Sequence, residues 1–298
     1  MEILITGGAG FIGSNIAEHL LKQGHSVSVI DNLHTGSPDN LKGLSVKFHK
    51  ANVGEINKLD IPPPKIIFHE GIYSSSPMYM QNPHLMPTII DEFLTLLEYA
   101  RKHDSKIIFA ATSSLYNGIQ PPHKEDIIPK VTDYYTEGRV AMERLARLHN
   151  ALYGQKTVGL RYFSVYGPRE KSKKQYANLV SQFLWEMQKN TPPVIYGDGS
   201  QTRDFTYVED VVKANMLAME KNISFGIYNV GTGKSYSLNK LIEILNRKLS
   251  TSIKPKYVEN KIKNYVQDTL ADTSKAKKEL GFEAKISLEE GIEKLLKK

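Results

Sequence analysis

Short apolar runs alternate with stretches of helical periodicity through the first half of the chain. The runs are rich in β-branched residues and nearly continuous, which is typical of parallel strands that are covered on both faces. They span residues 2–6, 26–30, 46–49, 65–69, 106–110 and 157–163, and helical patterns cover 10–23, 89–103 and 134–153. This alternation predicts an α/β fold built on a doubly wound parallel sheet.

The pattern changes after Gly167, where proline, glycine and lysine become frequent and apparent strands become short. Helical stretches are predicted there at 176–190, 207–222, 237–249 and 287–298. We therefore predict a sheet domain over residues 1–167 and a smaller mixed α/β cap over residues 168–298. The apolar run at 225–231 is a candidate for a crossover strand that returns to the main sheet.

A glycine-rich turn follows the first predicted strand directly. Gly7, Gly10 and Gly13 lie in TGGAGFIGSN (6–15), at the point where a helix opens. Glycines here allow a tight turn and a close approach of the backbone to a pyrophosphate, and the helix N-terminus attracts the phosphates. Asp31 ends the second predicted strand, where a carboxylate can bond ribose hydroxyls and repel a 2′-phosphate. Glycines at this spacing are a weak signal alone, but in this context they predict an NAD site.

Composition excludes some classes of function and partner. The chain of 298 residues has no cysteine, so neither disulfides nor a cysteine nucleophile can form. Its net charge of +7 comes from residues 221–298, which carry 16 Lys and Arg against 9 Asp and Glu. This distribution suits an acidic small substrate, although a solvated lysine-rich surface is the simpler interpretation. No basic stretch predicts nucleic-acid binding, and no signal peptide or membrane-length apolar run is visible, so we expect a cytoplasmic protein.

Several longer motifs together are specific for one family. They are TGGAGFIGSN (6–15), DNL (31–33), TSSLYNG (112–118), Tyr135 with Arg139, RYFSVYGPRE (161–170), GDGSQTRDFTYVEDV (197–211), YNVGTGKSYSLNKL (228–241) and DTSKAKKELGFEAKISLEEGI (272–292). In these residues the chain resembles the extended short-chain dehydrogenases/reductases, in their nucleotide-sugar epimerase/dehydratase branch. The resemblance implies a Rossmann-like NAD domain and a cap that binds a nucleotide diphosphate sugar. It also implies transient oxidation of a sugar hydroxyl, and a homodimer formed through the helices at 89–103 and 134–153.

The resemblance also implies roles for individual positions. Thr112, Tyr135 and Arg139 would be catalytic, with Tyr135 as the base, and no metal is expected. The substrate would meet Ser74, Ser75, Thr112, Ser164, Lys173 and Arg203. The cofactor would contact Gly7, Gly10, Phe11, Ile12, Gly13, Asp31, Asn32, Thr35, Gly36, Asn52, Val53, Glu70, Gly71, Ile72, Tyr135, Arg139 and Tyr162.

A cation one helical turn from Tyr135 would favour its phenolate, because positions four apart share a helix face. A free tyrosine has a pKa near 10 and is a poor base at neutral pH, so this help is needed. The family has a lysine where this chain has Arg139, and arginine is bulkier and fork-shaped. Taken alone, the two residues would fit an ordinary amphipathic helix. Ser164 is a second departure, since it replaces an asparagine that meets the substrate phosphates.

The motifs favour a UDP-glucose 4-epimerase type and leave two alternatives. FHEGIYSSSP (68–77) and RYFSVYGPRE are similar to ADP-heptose 6-epimerases, in which a second lysine would fall near Lys173. The simpler interpretation of EKSKKQY (170–176) is a solvated loop. Ser113 and Ser114 stand where dehydratases place two acids, so dehydration is disfavoured. The other alternative is a cofactor- and nucleotide-binding protein that has lost its chemistry.

Overall fold

The computed structural model describes residues 1–130, 133–261 and 265–297. The strands are β1 (Glu2–Thr6), β2 (Ser26–Asp31), β3 (Lys47–Lys50), β4 (Ile66–His69), β5 (Lys106–Thr112), β6 (Thr157–Tyr162), β7 (Val165–Tyr166), β8 (Val194–Tyr196), β9 (Thr202–Arg203), β10 (Thr206–Tyr207), β11 (Phe225–Val230), β12 (Tyr236–Ser237) and β13 (Lys256–Val258). The α-helices are α1 (Phe11–Lys22), α2 (Ser76–Gln81), α3 (Leu85–His103), α4 (Tyr134–Tyr153), α5 (Leu179–Gln188), α6 (Val208–Glu220), α7 (Leu238–Leu249) and α8 (Leu288–Leu296).

A seven-stranded sheet in the order β11-β6-β5-β4-β1-β2-β3 forms the centre of the molecule. All of its pairings are parallel. Successive side chains of β1 point to opposite faces, so Ile3 and Ile5 pack with α1 and α6, whereas Leu4 packs with α3 and α4. Helices therefore cover both faces, and the predicted doubly wound parallel sheet is confirmed.

The chain after residue 167 packs partly with the main sheet and partly in a separate apolar cluster. Helix α6 packs against α1, and β11 pairs with β6 from Phe225 opposite Thr157 to Val230 opposite Tyr162. Helices α5, α7 and α8 instead share a separate apolar cluster. The domain boundary between residues 167 and 168 stays a prediction. Within the described ranges, none of the helices combines the length and the apolar character that crossing a lipid bilayer requires.

Several predicted boundaries were wrong by a few residues. Helix α3 begins at Leu85 and not at 89, because Pro87 lies in its first turn, where a missing N–H leaves no hydrogen bond unmade. Helix α5 begins at Leu179 and not at 176, because the side chain of Asn178 caps it by accepting from Val180 N at 2.9 Å. Strand β6 ends at Tyr162, one residue before the predicted end at 163.

Candidate active site

The glycine-rich turn brings β1, β4 and the N-terminus of α1 into contact. Gly7 has a φ of +68°, and a Cβ there would lie 2.5 Å from the backbone nitrogen of Gly71. A Cβ on Gly13 would lie 2.3 Å from the carbonyl oxygen of Gly7. Gly10 precedes α1 and provides no side-chain cap, so N–H groups of the first helical turn remain available for an anion. These features fit the pyrophosphate of a dinucleotide.

The carboxylate of Asp31 holds this turn as well as facing the groove. It accepts hydrogen bonds from Ala9 N at 3.0 Å and Leu33 N at 2.7 Å. Burial raises its pKa, and these backbone hydrogen bonds oppose that rise. Beside it, Asn32 Nδ2 donates to Asn52 Oδ1 at 2.9 Å, which orients the Asn52 amide.

Tyr135 lies in the first turn of α4, beside the carboxyl end of β5. Asp133 caps this helix by accepting from Thr136 N at 2.7 Å. The Tyr135 hydroxyl donates to Thr112 Oγ1 at 3.1 Å, and Tyr135 is only 9% exposed. This pairing joins the predicted base to the hydroxyl predicted to align a substrate alcohol.

Arg139 is buried behind Tyr135 and braces two neighbouring segments. Its Nη1 donates to the carbonyl of Ala110 on β5, and its Nη2 donates to the carbonyl of Tyr73 in the loop after β4, both at 2.9 Å. Its guanidinium carbon lies 5.0 Å from the centre of the Tyr135 ring. The side chain therefore places a positive charge against the phenol, while two of its nitrogens are bonded to main-chain carbonyls.

Two adjoining cavities form one groove along the carboxyl ends of the strands. The smaller, about 60 Å³, includes Asp31 and Asn52, and the larger, about 310 Å³, includes Thr112, Tyr135 and Arg139. Residues that line both are Gly7, Gly10, Thr35, Glu70 and Ile72. Every residue predicted to contact the cofactor lines at least one of the two cavities. Those not yet named in this paragraph are Phe11, Ile12, Gly13, Asn32, Gly36, Val53, Gly71 and Tyr162.

The predicted substrate residues divide into two groups. Ser74, Thr112, Ser164 and Lys173 line the larger cavity. Ser75 does not line it, and is the residue directly before α2, which begins at Ser76. Arg203 also lies outside the residues that line this cavity. Its guanidinium donates to the carbonyls of Thr202, Val266 and Gln267.

The segment around Lys173 is solvated in part, as its three lysines predicted, since Lys171 and Lys174 are exposed. The 3₁₀ structure of Lys171–Tyr176 is interrupted at Lys174, whose backbone is not helical. The Lys173 side chain is only 18% exposed, with its Nζ 3.8 Å from Glu170 Oε1. Glu170 is buried and accepts from Asn178 N at 2.6 Å and Ser181 Oγ at 2.5 Å. This network fixes the start of α5 and turns Lys173 toward the larger cavity.

Sequence reasoning missed other residues of the groove. Asn178 lines the larger cavity, and an asparagine immediately before an apolar helical run was an available capping signal. Glu92 of α3 lines the smaller cavity, and burial raises its pKa. No local pattern distinguishes Glu92 from a solvated helix residue. The described ranges contain no group of three or more His, Asp or Glu side chains able to hold a metal.

Comparisons with known proteins found relatives that match most of the chain. The model of the NAD dependent epimerase/dehydratase family matches residues 3–231. The structure of UDP-glucose 4-epimerase from Thermotoga maritima with UDP-glucose is 34% identical, with a TM-score of 0.93 over 100% of this chain and 99% of that one. The UDP-glucuronate 4-epimerase of Thermodesulfobacterium geofontis is 32% identical over 98% of this chain and 94% of its own length. The ADP-L-glycero-D-manno-heptose-6-epimerase structure from Helicobacter pylori is 31% identical, with a TM-score of 0.88 over 99% and 95% of the two chains.

Proposed function

From the premise that this chain belongs to the NAD-dependent epimerase/dehydratase family, we propose that the nucleotide sugar it epimerises is a UDP-hexose and that the inverted centre is C4. The observation that supports this most directly is the hydrogen bond between Tyr135 and Thr112 inside the groove that the glycine turn also lines. A UDP-glucose 4-epimerase and a UDP-glucuronate 4-epimerase are among its relatives.

The chain's own residues can perform the proton transfers that this reaction needs. Bound NAD supplies a site that accepts a hydride and returns it. Tyr135, as phenolate, takes the proton of the sugar hydroxyl and later gives it back, while Thr112 hydrogen-bonds the same hydroxyl and fixes its direction. The guanidinium carbon of Arg139 lies 5.0 Å from the centre of the Tyr135 ring, so a positive charge adjoins the proposed base. Ser113 and Ser114 line the cavity without supplying carboxylates for a dehydration.

The test is a product assay with UDP-glucose, UDP-glucuronate and UDP-N-acetylglucosamine, each followed by NMR of the sugar ring. We expect the 4-epimer of at least one of them, with UDP-glucose giving UDP-galactose. Turnover of an ADP-linked sugar, with no change in any of these three UDP-sugars, would overturn the proposal.

A second candidate is epimerisation at C6 of a nucleotide-linked heptose. The position of Lys173 in the same cavity as Tyr135 favours it, because a second proton-carrying group could serve the other face of the sugar. The Helicobacter pylori relative is also an epimerase of this type. Lys173→Met should abolish inversion of an ADP-heptose if this candidate holds, and an unaffected rate would exclude it.

We also propose that the protein is a homodimer that pairs through α3 and α4. The family resemblance supports this assembly, and so do the exposed apolar side chains of Leu94 on α3 and of Leu148 and Leu152 on α4.

A further inference from the structure

Glu70 is an acidic residue that lies where the two cavities of the groove adjoin. It follows β4, lines both cavities, and its main-chain carbon lies 2.6 Å from where a Cβ on Gly7 would be. Its Oε1 accepts a hydrogen bond from the Tyr162 hydroxyl at 2.7 Å, and that hydroxyl accepts from Asn215 Nδ2 at 2.9 Å. The glycine turn beside it is where a dinucleotide places its pyrophosphate. An acidic residue therefore lines the groove beside the turn where a doubly anionic ligand group is expected.

The surroundings of Glu70 favour its neutral form. Burial raises its pKa to about 8, and this effect outweighs the hydrogen bond from Tyr162 and the charge of Arg139, which both lower the pKa. Tyr162 on β6 and Arg139 on α4 are the titratable or charged groups that act on it. Other titratable groups lie elsewhere along the groove: Asp31, His34, Tyr73, Glu92, Tyr135, Lys173 and Tyr176. A carboxylate here would repel the pyrophosphate, whereas a carboxylic acid would not, and its O–H can donate a hydrogen bond.

We propose that Glu70 acts in the cofactor site as a neutral carboxylic acid, and that its ionisation weakens dinucleotide binding. The proposal rests on the family's cofactor and on no particular sugar. The two negative charges of the ligand hold the proton on Glu70 more firmly, so binding to the ionised protein takes up one proton. The affinity is then highest when Glu70 is protonated and falls as pH rises above about 8.

The test measures ADP-ribose binding by titration calorimetry between about pH 6.5 and 9.5, on the full chain freed of bound dinucleotide. ADP-ribose contains the pyrophosphate and needs no turnover. For one linked proton we expect a constant affinity below about pH 8 and a loss of up to about tenfold per pH unit above it, or roughly 30-fold by pH 9.5. Titrations in buffers of different ionisation enthalpy should show uptake that approaches one proton per site at high pH.

Glu70→Gln is the matched variant, because it keeps the shape and stays neutral. We expect binding to this variant to show neither the fall in affinity nor the proton uptake, while other groups that titrate at high pH affect both proteins equally. Tyr162→Phe removes a hydrogen bond that lowers the Glu70 pKa, so the fall should move to higher pH. Equal pH profiles for the wild type and Glu70→Gln would overturn the proposal, as would an unchanged midpoint in Tyr162→Phe.

Discussion

At the level of single residues, two adjacent tyrosines have different surroundings, and only one of them is placed for catalysis. Tyr135 is buried and donates to Thr112, whereas Tyr134 is 51% exposed on the same helical turn. We expect Tyr135→Phe to lower kcat by about 10²–10⁴-fold, because the general base is lost, with ADP-ribose affinity unchanged. Tyr134→Phe should match the wild type. Single-turnover absorbance of the reduced nicotinamide would measure this, and unimpaired reduction in Tyr135→Phe would contradict the assignment.

Arg139 places a positive charge beside Tyr135 and also links two main-chain segments by hydrogen bonds, and two substitutions distinguish these roles. Lysine keeps the charge, but one ammonium group cannot reach the carbonyls of both Ala110 and Tyr73 as the guanidinium does. Arg139→Lys should therefore lose about 1–3 kcal/mol of unfolding free energy in urea and retain most of kcat. Arg139→Met should lose stability and kcat together. If Arg139→Met kept the wild-type kcat, the guanidinium would be a brace only.

The buried carboxyl of Glu70 also predicts how stability depends on pH in the absence of cofactor. The pKa of Glu70 in the folded chain, about 8, exceeds the ordinary value of 4.5. Between pH 4.5 and pH 8 the folded chain therefore keeps a proton that the unfolded chain has lost. The stability given by the neutral carboxyl is complete below about pH 4.5 and falls as pH rises to about 8. Glu70→Gln should therefore raise Tm at pH 9 more than at pH 5. Thermal melts at both values test this, and equal shifts would contradict it.

At the level of elements, the β1 turn and α1 need glycine for close contact. Gly13→Ala would place a Cβ 2.3 Å from the Gly7 carbonyl oxygen and 2.8 Å from the Gly8 Cα, both backbone atoms. We expect the variant to lose several °C in Tm and most of its ADP-ribose affinity, because α1 must move away from the turn. Gly54→Ala is the control for stability, since its nearest neighbour would be Glu92 Cγ at an ordinary 3.5 Å. Equal melting temperatures would show that the turn can adjust.

The elements also show which features of the molecule a sequence pattern can predict. The buried strands and the glycine turn were predictable, because parallel strands and phosphate turns impose local composition. The start of α3 was not, since Pro87 is as compatible with a first helical turn as with a break. Lys173 and Arg203 were assigned to the substrate alike, yet only Lys173 lines the cavity. The direction of such side chains is set by contacts remote in sequence, such as those of Arg203 with Val266 and Gln267.

At the level of the whole molecule, strand order explains why the groove lies where it does. The order places β4, β5, β6 and β11 on one side of β1, and β2 and β3 on the other. Connections leave β1 and β4 toward opposite faces, so a crevice opens at their carboxyl ends. The glycine turn follows β1 and Glu70 follows β4, which puts both at this crevice. Asp31 at the end of β2 and Thr112 at the end of β5 mark the two ends of this crevice.

The outer surface of α3 and α4 supports a prediction about assembly. Glu98 of α3 approaches His149 of α4 at 3.8 Å, and Arg101 of α3 lies over the ring of Tyr153, so the two helices present one continuous surface. Leu148 and Leu152 of α4 lie on that surface, 49% and 60% exposed, one helical turn apart. Covering them in a symmetric pair would remove apolar area from water.

We therefore expect a dimeric mass by light scattering and a monomer for the double substitution Leu148→Glu and Leu152→Glu, since buried carboxylates facing each other across a twofold axis repel. Ile128→Glu is the control, because Ile128 is 86% exposed and lies outside α3 and α4. It should stay dimeric. A monomeric wild type, or a dimer that survives both glutamates, would place the assembly surface elsewhere or remove it.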